Sequence, residues 1–246
     1  MSFGPVLAES KVILSQTVVA TADWTQPMPE ELRSKWVKQF QNWEKLRGIQ
    51  FTRAVMPEDA VDEKLRVIAK SDFALAMHVM GLWGGFRRKN GKWSCSHMLS
   101  RNLLAGPNMT VPKGELQSLT NVSNMCWIIR KILTDWNIEY IVCNDSIIAL
   151  CWVSSEKKSL SMFHRNRVIQ IRRAVELSHV YHVATEENLA DLGTRPEKVK
   201  ISDVGPDSEW ECGKEWMHGD VQTAVEKGIL TPINQLRLNE EKDTKK

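Results

Sequence analysis

The sequence predicts an α/β protein in which a mixed sheet of about five strands is covered by helices. Three strand-like runs come in close succession, at about residues 65–70, 75–86 and 92–98. Asn90-Gly91, between the last two runs, is a strong hairpin signal, so the sheet begins antiparallel. Farther along the chain, helical periodicity alternates with short strand-like runs, which is typical of parallel strands joined by crossover helices.

The alternating part of the chain has the order helix, strand, helix, helix and strand. These segments span about residues 112–136, 138–143, 147–152, 162–177 and 180–183. Asn188 suits the N-cap of a last short helix. Before the sheet, apolar residues at three- and four-residue steps predict a helix from Pro29 to about Gly48. A helical N-terminal segment therefore precedes the predicted sheet.

These patterns divide the chain into three segments. We expect residues 1–60 to form a helical connection segment, residues 61–197 the main domain, and residues 198–246 a polar linker. The first residues, with Gly4-Pro5 and then the apolar run from Val12 to Val19, resemble a stretch from the middle of a domain. The chain is therefore expected to be a piece of a longer protein.

Composition narrows the class of protein without selecting a partner. With 42% hydrophobic and 26% charged residues, the 246-residue chain is typical of a globular protein, and its net charge of +3 permits a polyanionic partner. Its five cysteines include no Cys-x-x-Cys pair, which favours a reducing, intracellular compartment, either cytoplasmic or nuclear. No run of about 20 apolar residues predicts a membrane span. No Gly-rich phosphate loop or Gly-x-Ser-x-Gly segment predicts a kinase, a nucleotide hydrolase or an esterase.

Four acidic residues fall at the ends of predicted elements. Asp72 follows the first strand and Asp145 the buried strand, whereas Glu115 and Asp191 lie in the first turns of helices. Such ends can converge in a sheet with crossover helices, and clustered carboxylates repel one another unless cations neutralise them. Oxygen ligands suit Mg²⁺ or Mn²⁺, and two such ions about 4 Å apart can promote phosphodiester cleavage. From spacing alone, solvated caps and loop acids are an equal alternative.

The segments around these acids resemble retroelement ribonuclease H domains. Asn144–Trp152 resembles the segment TDS-x-x-x-L-x-W of those domains, and Pro112–Leu116 is similar to the P-R-L-E-L that opens the helix with the second acid. Phe163–Ile171 resembles the segment F-x-x-N-R-V-x-x-I of the BEL/Pao branch, and His182–Arg195 is similar to its ending HV-P-x-x-x-N-P-A-D-x-x-S-R. The chain therefore resembles the ribonuclease H region of a BEL/Pao-type retrotransposon polymerase polyprotein.

The resemblance continues on both sides of the predicted main domain. Asp23–Trp36 is similar to the region between polymerase and nuclease in that family, and Cys212–Trp216 resembles its G-P-E-W segment before the integrase. The family resemblance implies a ribonuclease H-like fold and a two-metal endonuclease that hydrolyses the RNA strand of RNA/DNA hybrids during reverse transcription. The expected partners are the hybrid and the reverse transcriptase domain of the same polyprotein, and no membrane is expected.

The resemblance also implies a role for each acid. Asp72 would bridge two Mg²⁺ ions, for which Mn²⁺ is an alternative; Glu115 and Asp145 would hold one ion, and Asp191 would help to hold the other. Further residues are expected to contact the substrate, namely Asn144, Ser146, His164, Arg165, Arg167 and Asn188. For these residues, helix capping or a solvated charged face is the alternative.

One segment departs from the family pattern. Where the family usually has F-C-D-A-S-x-x-A-Y-G-A, residues 70–80 of this chain retain Asp72 but have Val79 at the position of the usual glycine. A glycine in a strand often marks the close approach of another backbone or a ligand. The alternative is therefore a catalytically inactive or repurposed domain that binds nucleic acid or braces a polymerase. A third hypothesis is another nuclease or an integrase of the same fold.

Overall fold

The architecture is a mixed sheet with helices on both faces. The computed structural model describes residues 3–21, 23, 25–51, 56–74, 77–106, 108–156 and 160–236. The strands in these residues are β1 (Ala60–Ala74), β2 (Met77–Arg88), β3 (Ser96–Leu104), β4 (Asn137–Asn144), β5 (Val180–Val183) and β6 (Leu230–Pro232). The α-helices are α1 (Gly4–Ala20), α2 (Glu30–Glu44), α3 (Val111–Ile132), α4 (Ile147–Ser154), α5 (Met162–Ala174), α6 (Asp191–Thr194), α7 (Glu209–Cys212) and α8 (Val221–Glu226).

The six described strands lie in the spatial order β3-β2-β1-β4-β5-β6. β1 pairs antiparallel with β2 and parallel with β4, and β4 pairs parallel with β5. This order confirms the predicted mixed sheet, in which an antiparallel start is followed by parallel strands reached through helices. β6 pairs antiparallel with β5 at the edge of the sheet and was not among the predicted strands.

One face of the sheet packs against α3, α4 and α5. β1 contributes Leu65, Val67 and Ala69 to this core, because alternate side chains in a strand point to the same face. α3 contributes Leu116 and Leu119, which are fully buried. The core therefore holds α3 against β1 and positions the first turn of the helix near the end of the strand.

The other face is covered by α1 and by the segment that follows residue 198. Ile68 and Trp83 of the sheet share one buried cluster with Trp210 and Met217. The rings of Trp83 and Trp210 meet edge to face at 5.2 Å between centroids, and Trp83 Nε1 donates to Trp210 O at 2.6 Å. The segment after residue 198 is therefore packed on the sheet.

This packing differs from the polar linker that the sequence predicts for residues 198–246. The prediction of a linker rests on the polar residues, Gly205-Pro206 and the charged end of the segment, but Trp210, Trp216 and Met217 are packed against residues that are distant in sequence. Residues 237–246 of that range lie outside the described residues, as do Leu75 and Ala76 of the predicted second strand. As a division into domains, the ranges 1–60, 61–197 and 198–246 stay a prediction.

The N-terminal residues form the predicted helical segment. Gln39 of α2 joins the two helices, because its Nε2 donates to Val6 O and to Ser10 Oγ of α1, each at 3.0 Å. Asn102 Nδ2 of β3 donates to Gly4 O at the start of α1. α1 also contacts α6. The N-terminal helices are thus fixed to the sheet beside α6.

β3 begins later than the sequence predicts. Asn90-Gly91 forms the expected turn, with a positive φ of 80° at Gly91. Trp93 then makes a single bridge with Arg87, and its backbone N–H donates to His218 O at 2.9 Å. A carbonyl of the C-terminal segment therefore accepts a backbone hydrogen bond from the region of the predicted third strand. The observed β3 starts at Ser96.

Trp210→Ala tests the packing of the C-terminal segment. Trp210 is 1% exposed, so we expect the substitution to lower the free energy of unfolding by about 3–5 kcal/mol, as is usual when a buried tryptophan is truncated. Chemical denaturation of both proteins measures the difference. Trp127→Ala is the control, because Trp127 is 45% exposed. A Trp210→Ala protein as stable as this control would contradict the packing.

Candidate metal centre

Two parallel strands bring the first pair of acids together. β1 and β4 are parallel, with Ser71 opposite Asn144, so their carboxyl ends lie at the same edge of the sheet. Asp72 follows Ser71 in β1, and Asp145 is the residue directly after β4. The strand register therefore makes Asp72 and Asp145 neighbours.

Glu115 reaches the same edge from the fifth residue of α3, because the helix begins at Val111 and the acid therefore lies just beyond the first turn in which the sequence predicts it. A Cβ atom at Gly114 would overlap the ring of Phe73, so glycine allows the start of α3 to lie directly on β1. Ser118, about one turn farther along α3, donates from Oγ to Asp72 O at 3.0 Å. These contacts hold Glu115 next to Asp72.

Asp72, Glu115 and Asp145 form a compact group, called the carboxylate cluster below. One oxygen from each residue lies within 4.8 Å of the others. Asp72 is 5% exposed, Glu115 is 7% exposed, and Asp145 is partly buried. Glu115 Oε2 and Asp145 Oδ1 are buried without a hydrogen-bond partner. Buried polar atoms without partners are costly, so these two oxygens are suited to accept a ligand.

Burial and repulsion by neighbouring acids perturb all three carboxyl groups. Burial, with the charges of Asp145 and Asp191, raises the pKa of Asp72 to about 6, although a hydrogen bond from Thr194 lowers it. Burial, with the charges of Asp72 and Asp145, raises the pKa of Glu115 to about 9. Burial also raises the pKa of Asp145. Closely spaced carboxylate oxygens suit a hard divalent cation such as Mg²⁺ or Mn²⁺. The three acids of the cluster therefore fit such an ion.

Asp191 lies beside the carboxylate cluster but forms an ion pair with the side chain of Arg195. It is the first residue of α6, and its charge contributes to the raised pKa of both Asp72 and Asp145. Its Oδ1 lies 3.0 Å from Arg195 Nη2. The structure thus brings three of the four predicted acids together and places the fourth nearby.

Three residues expected to contact substrate make hydrogen bonds within the protein. Asn144 Nδ2 and Asn188 Nδ2 both donate to Ser71 O, at 3.1 and 3.0 Å, and both side chains are buried. Ser146 Oγ accepts from Ala149 N at 3.3 Å and caps α4. These residues brace the backbone around the acids, and their contacts with a substrate stay a prediction.

The other three expected substrate residues lie on α5. The ring of His164 packs against Trp152, with 4.2 Å between centroids. Arg167 Nε donates to Gln117 Oε1 of α3, and Arg165 is exposed. Arg167 is therefore placed beside the first turns of α3, whereas contact of any of the three with a substrate stays a prediction.

Two residues without a role assigned from the sequence complete the surroundings of the cluster. Thr194 Oγ1 donates to Asp72 Oδ2 at 2.6 Å. The signal for Thr194 in the sequence is its place three residues after Asp191, within the segment that resembles the family ending. Val79 lies opposite Asp72 in the sheet, is fully buried and packs with Ala190. The side chain of Val79 therefore packs beneath α6, at the position where the family usually has glycine.

The strand order and the place of the acids define a ribonuclease H-like domain. The family model described as Pao retrotransposon-like RNaseH-like domain matches residues 2–146, more than half of the chain, and the chain belongs to this family. The resemblance to BEL/Pao ribonuclease H regions is thereby confirmed. No curated protein matches the chain. Within the residues that the structure describes, no α-helix is long and apolar enough to cross a bilayer.

Solved ribonuclease H structures are similar to part of the chain. The N-terminal RNase H domain of Rv2228c from Mycobacterium tuberculosis is 14% identical, with a TM-score of 0.34 over 53% of this chain and 93% of that one. RNase H1 from Halobacterium salinarum is 11% identical, with a TM-score of 0.36 over 55% of this chain and 97% of that one. LC11-RNase H1, solved in complex with RNA/DNA hybrid, is 14% identical, with a TM-score of 0.34 over 52% of this chain and 91% of that one. The assignment of the fold rests on the family match and the strand order.

The raised pKa of Glu115 predicts that stability without metal falls as the pH rises. A folded-state pKa of about 9, against the ordinary 4.5, means that the folded protein binds more protons than the unfolded chain between these values. This contribution to stability is therefore complete below the lower value and is lost as the pH approaches the higher one. We expect the thermal midpoint in EDTA to fall by several degrees between about pH 5 and about pH 8.5, and Mn²⁺ to reverse the fall.

Two variants separate Glu115 from other titrating groups in this measurement. Glu115→Gln should flatten the fall with pH and weaken the response to Mn²⁺, because the group no longer ionises. Glu63→Gln, at an exposed position of β1, should behave as the wild-type chain does. The same pH dependence in Glu115→Gln and wild type would contradict the electrostatic explanation.

Proposed function

We propose that this chain is a metal-dependent endonuclease that hydrolyses the RNA strand of RNA/DNA hybrids during reverse transcription of a retroelement. The carboxylate cluster carries the proposal: three acids from three different elements lie together, and two of their buried oxygens have no hydrogen-bond partner. Membership of the Pao retrotransposon-like RNaseH-like family supports the reaction class and the retroelement context.

The acids would hold two divalent cations, Mg²⁺ with Mn²⁺ as the alternative. When bound, the cations would lower the pKa of an attacking water and neutralise charge on the leaving oxygen. Asp72, Glu115 and Asp145 would hold one cation, and Asp72 and Asp191 would hold the other. The ion pair with Arg195, whose side chain is 51% exposed, involves only Oδ1 of Asp191 and leaves the other oxygen for a cation. Partly exposed ion pairs contribute only about 0–1 kcal/mol, so loss of this pair would also cost little.

The hybrid would lie along the side of the domain where α3 and α5 meet. Arg165 is exposed on α5, and Arg167 is held beside α3 by Gln117. Basic side chains of this kind contact phosphates and position a duplex without reading its sequence. A protein distinguishes RNA in a helix mainly by its shape and its 2′-hydroxyl groups. Arg165, Arg167 and His164 would therefore orient the duplex, while the acids would cleave it.

The reverse transcriptase domain of the same polyprotein would be the partner of this chain, in the cytoplasm or the nucleus. Reverse transcription produces the hybrid, so a polymerase and a nuclease in one polyprotein would act on the same duplex. Covalent linkage raises the effective concentration of the second module at a bound substrate. The separate chain is therefore expected to bind hybrid more weakly than the linked pair.

Val79 supports an alternative, namely a catalytically inactive or repurposed domain that binds nucleic acid or braces a polymerase. Its side chain lies opposite Asp72 and packs beneath α6, at the position where the family usually has glycine. The extra volume would change how closely α6 approaches β2. The carboxylate cluster would then remain as a structural feature without turnover.

Cleavage of a labelled RNA/DNA hybrid tests the proposed activity. We expect the wild-type chain to cut only the RNA strand in Mg²⁺ or Mn²⁺. Asp145→Asn and Asp72→Asn should each lower cleavage by more than about 100-fold, because loss of a residue that merely supports a metal ligand already costs about 10–100-fold. Asp135→Asn, at an exposed position outside the cluster, is the matched control and should cleave as the wild type does.

Other outcomes of this assay select the alternatives. Salt-sensitive binding of hybrid by the wild type without cleavage in either metal would favour the inactive domain. Cutting of double-stranded DNA in place of the hybrid would favour another nuclease of the same fold. Equal activity of wild type and both cluster variants would exclude the carboxylate cluster as the catalytic site.

A further inference from the structure

Thr194 makes a buried hydrogen bond to the first acid of the cluster. Its side chain is 8% exposed, and its Oγ1 lies 2.6 Å from Asp72 Oδ2 and 3.0 Å from Asp191 O. A hydroxyl group has one proton and donates to one acceptor at a time. The shorter distance is within the range of a hydrogen bond from a hydroxyl to a carboxylate, which is stronger than one to a carbonyl. Asp72 is therefore the principal acceptor.

The close approach of α6 to the sheet makes this hydrogen bond possible. A Cβ atom at Gly193 would lie 2.7 Å from Val79 Cγ1, so glycine at this position allows the helix to pack on β2. Thr194 is the next residue and the last of α6, whose first residue is Asp191. A helix of four residues has little stability of its own and depends on such tertiary contacts. The Thr194 hydroxyl is thus a direct link between the strand of the first acid and the helix of the fourth.

A hydrogen bond to one carboxylate oxygen restricts the rotation of the whole group. The torsion that turns an aspartate carboxyl about its own axis has a broad, shallow energy profile, so a free carboxylate samples many orientations. Donation from Thr194 to Oδ2 selects the orientations that keep this oxygen towards α6. A carboxylate oxygen has two lone pairs, so donation from Thr194 leaves Oδ2 able to accept a further ligand.

We propose that Thr194 is a positioning residue for metal binding: it orients the carboxylate of Asp72 and holds α6 so that Asp72 and Asp191 can share a cation. The inference rests on the proposed function, because it concerns how the same acids hold the ions. It adds a neutral hydroxyl to the set of residues that the reaction requires. A purely local role is the competing explanation, since Ser and Thr hydroxyls often donate to a nearby carbonyl of their own helix, as Thr194 could to Asp191 O.

Substitutions at Thr194 separate these explanations by the affinity for Mn²⁺. Thr194→Val removes the hydroxyl at nearly constant volume, Thr194→Ala removes it with less volume, and Thr194→Ser retains it. The control is Thr120→Val, because Thr120 is 1% exposed and its hydroxyl donates only within α3, to Leu116 O. Calorimetric titration of each folded protein with Mn²⁺ gives the Kd, and hybrid cleavage gives kcat and KM.

We expect loss of the hydroxyl to act on metal binding and turnover. Thr194→Val and Thr194→Ala should each raise the Kd for Mn²⁺ by about 10–100-fold, as is typical when a group that orients a metal ligand is lost. They should lower kcat and leave KM for the hybrid nearly unchanged. Thr194→Ser should restore both the Kd and kcat, and Thr120→Val should bind Mn²⁺ as the wild type does. Agreement between Val and Ala excludes an effect of poor packing by either side chain.

The results distinguish failure of this inference from failure of the proposed function. Wild-type affinity for Mn²⁺ in both Thr194→Val and Thr194→Ala overturns the inference, as does a Thr194→Ser protein that binds as weakly as they do. If the wild type binds Mn²⁺ without cleaving hybrid, the proposed nuclease function fails, but the Kd series still decides the role of Thr194. A wild-type chain that does not bind Mn²⁺ overturns both.

Discussion

Burial of three carboxyl groups at one edge of the sheet is the constraint on which the rest of the structure depends. Like charges in a poorly solvated place repel one another, and packing elsewhere must offset this free energy. The apolar clusters on the two faces of the sheet hold the elements that carry the acids. Gly114 acts at closer range, because a side chain there would push α3, and Glu115 with it, away from β1. The fold thus maintains an arrangement of charge that favours a cation.

The carbonyl of Ser71 is the point at which this arrangement is braced. It accepts hydrogen bonds from Asn144 and Asn188, which lie at the end of β4 and in the loop that leads to α6. Two amide groups from distant parts of the chain therefore meet on the residue before Asp72. Amide side chains do not ionise, so both groups remain hydrogen-bond donors whatever the protonation state of the neighbouring carboxyl groups. A rigid frame of this kind is what closely spaced metal ligands need.

Periodic segments and short motifs allowed much of the fold and of the site to be predicted. α3, β4 and β5 were predicted from local patterns, and the cluster includes three of the four acids found at element ends. Contacts between residues that are distant in sequence produce no local pattern, so they could not be predicted. Thr194 reaches Asp72 across 122 positions, and Trp83 reaches Trp210 across 127. The late start of β3 has the same origin, because Trp93 forms a hydrogen bond with the C-terminal segment.

Lys70 joins the C-terminal segment to the site. It lies two positions before the first acid and is fully buried, with its Nζ donating to Glu187 O and lying 4.8 Å from the ring centroid of Trp216. Burial lowers the pKa of Lys70 to about 8, so its charge is costly to keep in place without these contacts. Glu187 directly precedes Asn188, which braces Ser71. Because Trp216 covers the lysine that anchors this loop, displacement of the C-terminal segment would expose Lys70 to water and loosen the frame around the acids. The segment that the sequence predicts to be a linker therefore supports the carboxylate cluster in the folded protein.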